Sequence, residues 1–278
     1  MKFGFVFPGT IVPGGDAPAA VEFAQLVESA GWDGFFVWEP VWGVDAWVTL
    51  AAAAMLTKSI RLGTMISPIS RMRPWKLAGE AATLDNLSNG RVIISVGLGA
   101  VNTGFDEFGE EKDRKTRAEL LDEGLDIIIG LWNGQPFNYS GKHYQVKEIE
   151  FHPSPPPVQK PRIPIWVVGA WPHKKSMRRP LKYDGLLPAK MNEDGSFADV
   201  TPADIRVIKS FIDENRSQSP PFDIVVEGTT PGDDPEKTAD TVRPFASAGA
   251  TWWIEAMWTP RDLDAVRVRA EQGPPRLE

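Results

Sequence analysis

Three glutamates are candidates for a pair of carboxyl groups that act as general acid and general base. Glu39, Glu227 and Glu255 each lie at or near the end of a short apolar run, in GFFVWE, DIVVEG and TWWIEAM. Two carboxyl groups that flank a scissile bond are what glycoside hydrolysis requires. A solvated or ion-paired carboxylate is the alternative without a catalytic role. The pairing of Glu39 with Glu255 therefore predicts a glycosidase as one candidate function.

A pair of glycines, Gly97 and Gly99, follows the apolar run from Val92 to Val96. A dinucleotide-binding fingerprint needs a third glycine at a fixed offset, normally after the first strand of its domain. Asn102 takes that place here, which argues against a Rossmann domain. Two interpretations stay open: a backbone that a ligand approaches closely, or a tight turn at a strand end.

Several other reactive motifs are missing from the sequence. The 278 residues include no cysteine, which excludes disulfides, thiolate metal sites and a cysteine nucleophile. The three histidines form no HExxH or His-x-His pair, and no Gly-x-Ser-x-Gly elbow occurs. We therefore predict no metal site.

Charge and hydropathy restrict the class of partner. The net charge is −7 with both signs mixed along the chain, so no basic block indicates nucleic acid. The longest apolar run, residues 50–56, is far shorter than a membrane span, and the N-terminus shows no signal-peptide pattern. We expect a cytoplasmic protein that acts on a small molecule, away from nucleic acid and membranes.

Short apolar runs alternate with helical patterns along the chain, which predicts parallel β-α-β units. Eight strands are expected, at residues 2–7, 34–38, 60–66, 92–96, 163–169, 184–188, 223–228 and 251–257. Eight such units in this length favour a (β/α)₈ TIM barrel with residues 1–278 as a single domain. Residues 133–161 fit no unit, because a turn and a small hairpin precede a proline-rich stretch. We interpret them as an insertion between helix 4 and strand 5.

The carboxyl ends of barrel strands form the active-site face of this fold. The residues predicted there are rich in tryptophan and glycine, which suits a flat ring system. We assign four tryptophans to a substrate pocket: Trp38, Trp42, Trp171 and Trp258. Packing of these side chains under loops is the alternative. Backbone N–H groups at Gly169 and Ala170 could hold a phosphate where a short helix begins.

The chain resembles the bacterial luciferase-like monooxygenases, a family that includes reductases and dehydrogenases using the deazaflavin coenzyme F-420. The resemblance covers most of the chain in family order. It rests on VEFAQLVESAGWDGFFVWE, IRLGTMISPISRMRPWKLAGEAATLDNLSNGRVIISVGLG, FDEFG, SGKHYQV, PPPVQKPRIPIWVVGAW and FASAGATWWIEAM.

This resemblance implies a (β/α)₈ barrel that binds reduced FMN or reduced coenzyme F-420 at its C-terminal rim. It also implies a bulge after the third strand, with a non-proline cis peptide at Met65-Ile66. The implied cofactor-binding residues are Thr64, Met65, Ile66, Gly97, Gly99, Asn102, Gly169 and Ala170. Helices of the second and third units would join two chains into a homodimer.

The sequence departs from two branches of that family. Leu98 stands where luciferase subunits have an arginine for the FMN phosphate. Pro40 and Ala100 stand where sugar-phosphate dehydrogenases have a histidine and a glutamate. Glu39 is left as the candidate catalytic group.

The resulting expectation is an oxidoreductase that works by hydride transfer or by O₂-dependent monooxygenation. A barrel that binds cofactor without turnover is the alternative, because familiar acid and base residues are missing.

Overall fold

Strands alternate with helices along the chain in the computed structural model, which describes residues 1–150, 155–194, 196–217 and 221–277. The strands are β1 (Lys2–Phe7), β2 (Gly34–Val37), β3 (Arg61–Thr64), β4 (Ser67–Pro68), β5 (Val92–Gly97), β6 (Phe137–Ser140), β7 (Gln145–Ile149), β8 (Ile165–Trp171), β9 (Gly185–Met191), β10 (Phe197–Ala198), β11 (Asp223–Gly228) and β12 (Trp252–Ala256). The helices are α1 (Ala17–Ser29), α2 (Ala46–Leu56), α3 (Pro74–Leu87), α4 (Arg114–Asn133), α5 (Lys174–Arg178), α6 (Pro202–Asn215), α7 (Pro235–Ala248) and α8 (Leu263–Glu271). Among the described residues, no helix combines the length and apolar character needed to cross a membrane.

Parallel pairing closes eight of these strands into a cylinder. The order around the ring is β1, β2, β3, β5, β8, β9, β11 and β12, and β12 pairs again with β1. This arrangement confirms the predicted (β/α)₈ barrel, whose strand ends all point to one mouth.

Aspartate and threonine side chains begin most of the helices. Each accepts a hydrogen bond from a backbone N–H in the first helical turn, which satisfies a donor that has no partner within the helix. The capping residues are Asp16, Asp45, Asp113, Thr201, Asp234 and Asp262. Thr201 also forms a capping box with Asp204.

Two predicted boundaries change for physical reasons. The third strand ends at Thr64 and not at Ile66, because the chain bends at residues 65–66 before β4 pairs with β5. The segment before β9 holds only the short α5 and a 3₁₀ turn at Pro180–Lys182. Proline lacks the N–H that a continuous helix needs, which accounts for the interruption at Pro180.

Large aromatic side chains fill the lower half of the barrel. Phe36, Trp166 and Trp252 are fully buried on the inner faces of three strands. The Trp166 and Trp252 ring centroids lie 5.1 Å apart, and the Phe36 ring lies 5.6 Å from that of Trp166. These rings therefore fill the interior of the barrel below its mouth.

The predicted insertion forms the small hairpin of β6 and β7 between α4 and β8. Glu123 on α4 accepts hydrogen bonds from the backbone N–H groups of Lys142, His143 and Tyr144. The hairpin is thereby tied to the barrel's outer layer. His152 lies outside the described residues.

Candidate functional site at the barrel mouth

The chain forms a bulge between β3 and β4 at the mouth. The Met65-Ile66 peptide bond is cis, as the family resemblance implied. The Met65 N–H donates to the carbonyl oxygen of Val37 at 2.9 Å, and Pro68 pairs with Gly97 on the neighbouring strand. Met65 is buried and Ile66 is half-buried, so the bulge forms part of the inner wall.

Two buried hydroxyl groups hold the ends of this bulge together. The Thr64 and Ser67 hydroxyl oxygens lie 2.8 Å apart, and both side chains are fully buried. The Ser67 hydroxyl donates to Oε2 of Glu39. Glu39 is therefore connected to the bulge through a serine that sequence reasoning did not select.

Glu39 is half-buried as a residue, and protein surrounds its carboxyl group. Burial raises its pKa to about 7, and the Ser67 hydrogen bond, the Arg71 charge and the Trp47 indole offset only part of this effect. Arg71 also donates from Nη2 to the carbonyl oxygens of Glu39 and Pro40, both at 3.1 Å. A group with this pKa exchanges a proton readily at neutral pH.

We expect Glu39→Gln to remove a pH dependence of stability. A carboxyl group whose pKa is raised by folding binds its proton more tightly in the folded state, so it favours folding at low pH. That contribution is lost as the pH rises from 4.5, the ordinary value, towards about 7. The free energy of unfolding of the variant minus that of the unsubstituted protein should therefore increase between pH 4.5 and about pH 7, by at most about 3 kcal/mol. Urea denaturation at pH 5 and pH 8 measures the difference. The exposed Glu148→Gln on β7 is the control, and an equal pH response in both variants would contradict the prediction.

Gly97 faces the mouth, and Gly99 shapes the turn that follows. A Cβ atom at Gly97 would lie 2.5 Å from Cδ1 of Ile66 and 3.0 Å from Cγ2 of Val168, so the missing side chain lets these two side chains pack against the main chain. Gly99 has φ +75°, and a Cβ atom there would lie 2.8 Å from the Phe105 ring. Gly99 therefore forms a tight turn, and close approach of a ligand at Gly97 stays a prediction.

Arg117 on α4 stabilises the turn at Leu98 and Gly99. Its Nη1 donates to the carbonyl oxygens of Leu98 and Gly99 at 2.8 and 3.1 Å. Asn102, the third position predicted near the cofactor, lies exposed in the turn that follows.

Gly169 and Ala170 have structural roles that the sequence did not reveal. A Cβ atom at Gly169 would lie 2.5 Å from Cδ1 of Leu186 and 2.9 Å from Sδ of Met177, so the missing side chain allows β8, β9 and α5 to pack together. The Ala170 N–H donates to the Ser176 hydroxyl at 2.9 Å. The Ala170 N–H can therefore donate to a phosphate only if its hydrogen bond to the Ser176 hydroxyl group is broken.

The four tryptophans assigned to a substrate pocket are not brought together. Trp258 is half-buried against the barrel's inner cluster, and Trp38 is half-buried two residues after the inward-facing Phe36. Trp171 packs instead on the outer cluster between strands and helices, and Trp42 is 82% exposed. Only Trp38 and Trp258 lie where they could line the mouth.

The three glutamates of the sequence analysis also separate. Glu255 is completely buried, and its carboxylate accepts from the Thr230 N–H at 2.7 Å and from Arg269 Nη2 at 3.3 Å. It faces the outer layer, where no substrate reaches it, so the glycosidase pairing of Glu39 with Glu255 is wrong. Glu227 lies on the inner face of β11 with Val225, a position that the two-residue alternation of a strand could have indicated.

Two features of the mouth suit a flat ring system. Gly97 adds no side chain of its own to the wall beside the bulge, and the Ser95 hydroxyl group, on the same inner face, is buried with no hydrogen-bond partner in the described part of the chain. An unsatisfied buried hydroxyl marks a place where a ligand can complete the hydrogen bonding. Within the described ranges, no cluster of three histidine or acidic side chains is arranged to hold a metal ion.

Comparison with known proteins agrees with this geometry. The family model described as luciferase-like monooxygenase matches residues 1–272. The chain belongs to this family. Membership agrees with the bulge at Met65-Ile66 and with the closed barrel described above.

Two relatives and one solved structure show how far the similarity extends. The oxygenase component of the flavin-dependent trigonelline monooxygenase of Acinetobacter baylyi is 33% identical over 46% of this chain and 35% of its own length. The F420-dependent glucose-6-phosphate dehydrogenase of Amycolatopsis mediterranei is 30% identical over 55% of this chain and 47% of its own length. The matches thus span less than half of these relatives. Monooxygenase RslO1 from Streptomyces bottropensis has the same fold, with a TM-score of 0.79 at 19% identity over 98% of this chain and 97% of that chain.

Proposed function

We propose that the protein is an oxidoreductase that binds reduced FMN or reduced coenzyme F-420 at the barrel mouth and acts on a small organic substrate. The observation that carries this proposal is the bulge between β3 and β4, which lies on the inner wall of the mouth beside Gly97. Residues 1–278 would act as one domain, in which the hairpin segment 133–161 is an insertion. A cytoplasmic location stays a prediction of the sequence.

The residues of this wall would position the ring. Met65, Ile66 and Gly97 would contact its flat face, and the Ser95 hydroxyl group would hydrogen-bond to its polar edge. Thr64 and Ser67 would hold the bulge in place. The bound cofactor supplies the redox chemistry, either hydride transfer or oxygen activation. Glu39 would take up or release a proton near the ring, since burial places its pKa at about 7.

A titration of the cofactor-free protein with FMN and with coenzyme F-420 tests this function. We expect the fluorescence of one of the two to change on binding with a dissociation constant in the micromolar range, and the other to bind at least tenfold more weakly. Turnover with the tighter cofactor, in the presence and absence of O₂, then separates monooxygenation from hydride transfer. The proposal fails if neither cofactor binds.

A cofactor-binding barrel without turnover is the second candidate. Pro40 and Ala100, which replace acid and base residues of the dehydrogenase branch, favour it. Tight cofactor binding with no turnover of a broad panel of alcohols, aldehydes and enones would support this candidate over the first.

An apolar stripe on α2 supports a homodimer. Val48 and Met55 are 71% and 65% exposed, and Ala52 lies between them on the same helix face. Residues seven apart share a face of a helix, so these side chains form one continuous surface. A stripe of this kind on a surface helix indicates an interface between chains.

We therefore expect Met55→Glu to convert a dimer into a monomer, because a charge in the centre of an apolar interface loses its solvation. Size-exclusion chromatography with light scattering measures the mass of each species. Val207→Glu, an exposed apolar residue of α6, is the matched control and should remain a dimer. A monomeric unsubstituted protein at micromolar concentration would refute this interface.

A further inference from the structure

Glu227 and Trp258 form a second polar feature of the mouth, separate from Glu39. Trp258 Nε1 donates to Glu227 Oε2 at 2.9 Å, and the Trp258 ring packs on the inner cluster of the barrel. Glu227 shares the inner face of β11 with Val225. The carboxyl group and the indole therefore line the inside of the mouth together.

The pair lies across the barrel from the proposed cofactor wall. In the ring of eight strands, β11 is four places away from β3 and three places away from β5. Strands separated by four places in such a ring are diametrically opposite. A molecule placed between the bulge that follows β3 and Glu227 would thus have the ring system on one side and the carboxyl group on the other.

The Glu227 carboxyl group lacks a compensating positive charge. Trp258 is its one hydrogen-bond donor among the described residues. The side chain is open to the mouth, yet the surrounding protein raises its pKa by desolvation, and the Trp258 hydrogen bond offsets only part of this rise. A partly desolvated carboxylate without a cationic partner is stabilised when a cation binds beside it.

We propose that Glu227, oriented by Trp258, determines substrate specificity by selecting compounds that carry an organic cation, such as a protonated amine or a quaternary ammonium group. The carboxylate supplies the opposite charge, and the neighbouring indole adds a face that attracts cations. This inference rests on the proposed function, because the bound cation is a substrate only if the cofactor binds on the opposite side of the mouth. Binding of the cation itself requires no redox step.

Calorimetry with an isosteric pair of probes tests the inference. Choline and 3,3-dimethylbutan-1-ol have nearly the same shape and differ in the positive charge. We expect choline to bind the unsubstituted protein at least tenfold more tightly than the alcohol. Glu227→Gln keeps an oxygen that accepts from Trp258 and removes the charge, so the preference should vanish. Glu236→Gln, an exposed change on α7, should retain it. Circular dichroism of each variant confirms folding.

The inference is overturned if choline and the alcohol bind equally, if neither binds at millimolar concentration, or if Glu227→Gln keeps the preference. These outcomes are distinct from a failure of the proposed function, because the cofactor titration is a separate measurement. Cofactor binding without cation preference rejects only the role of Glu227.

Discussion

Gly97→Ala is expected to weaken cofactor binding by about tenfold to a hundredfold, equivalent to about 1.4–2.7 kcal/mol. The new methyl group would lie 2.5 Å from Cδ1 of Ile66 and 3.0 Å from Cγ2 of Val168. Since cores resist added volume, either the methyl group or the displaced Ile66 side chain would project into the mouth. The proposed ring system would then be pushed away from this wall. Fluorescence titration with the cofactor that binds the unsubstituted protein measures the loss.

Gly79→Ala provides the control for that substitution. Gly79 lies in α3, and a Cβ atom there meets no heavy atom within 4 Å. Alanine at this helical position should raise the free energy of unfolding by about 0.5–1 kcal/mol and leave cofactor affinity unchanged. If Gly97→Ala binds cofactor as tightly as Gly79→Ala, the wall at Gly97 does not contact the ring.

Arg269→Met is expected to lower the free energy of unfolding by about 3–5 kcal/mol, because it leaves the Glu255 carboxylate buried without its partner. Arg269 and Glu255 side chains are 6% and 0% exposed. The guanidinium group also donates to the Thr230 hydroxyl at 2.8 Å and to the Gly273 carbonyl oxygen at 2.9 Å. Urea denaturation measures the change.

The surface pair of Arg243 and Asp240 gives a matched comparison. These side chains are 48% and 66% exposed, so Arg243→Met should change stability by less than about 1 kcal/mol. Similar losses for both arginine variants would show that the buried pair contributes no more than an exposed one. Cofactor affinity of folded Arg269→Met should equal that of the unsubstituted protein, since Glu255 faces away from the mouth.

The strand and helix order was predictable because each element carries its own apolar pattern. The run from Val92 to Val96 is buried on both faces, as strands covered by helices are, and the structure confirms it as β5. The cap at Thr201 and the glycine at the end of α7 depend only on neighbouring residues. Local chemistry of this kind is visible in one sequence.

The site was predicted less completely because it depends on which side of a strand a residue occupies. Trp171 and Glu255 end barrel strands, as expected, but both face the outer layer. Alternation along β11 and β12 could have separated Glu227 from Glu255. The Ser67 hydroxyl group donates to Glu39 across a separation of 28 residues, which no local pattern predicts. The hydrogen bond from the Ala170 N–H to the Ser176 hydroxyl group depends on how the chain turns after β8.

The aromatic rings of Phe36, Trp166 and Trp252 close one end of the cylinder, and this has a kinetic consequence. The proposed cofactor and substrate would then both enter and leave through the opposite end. The molecule that binds deeper in the barrel would have to bind first and dissociate last. Steady-state kinetics should therefore follow a compulsory order, in which the outer molecule delays release of the inner one.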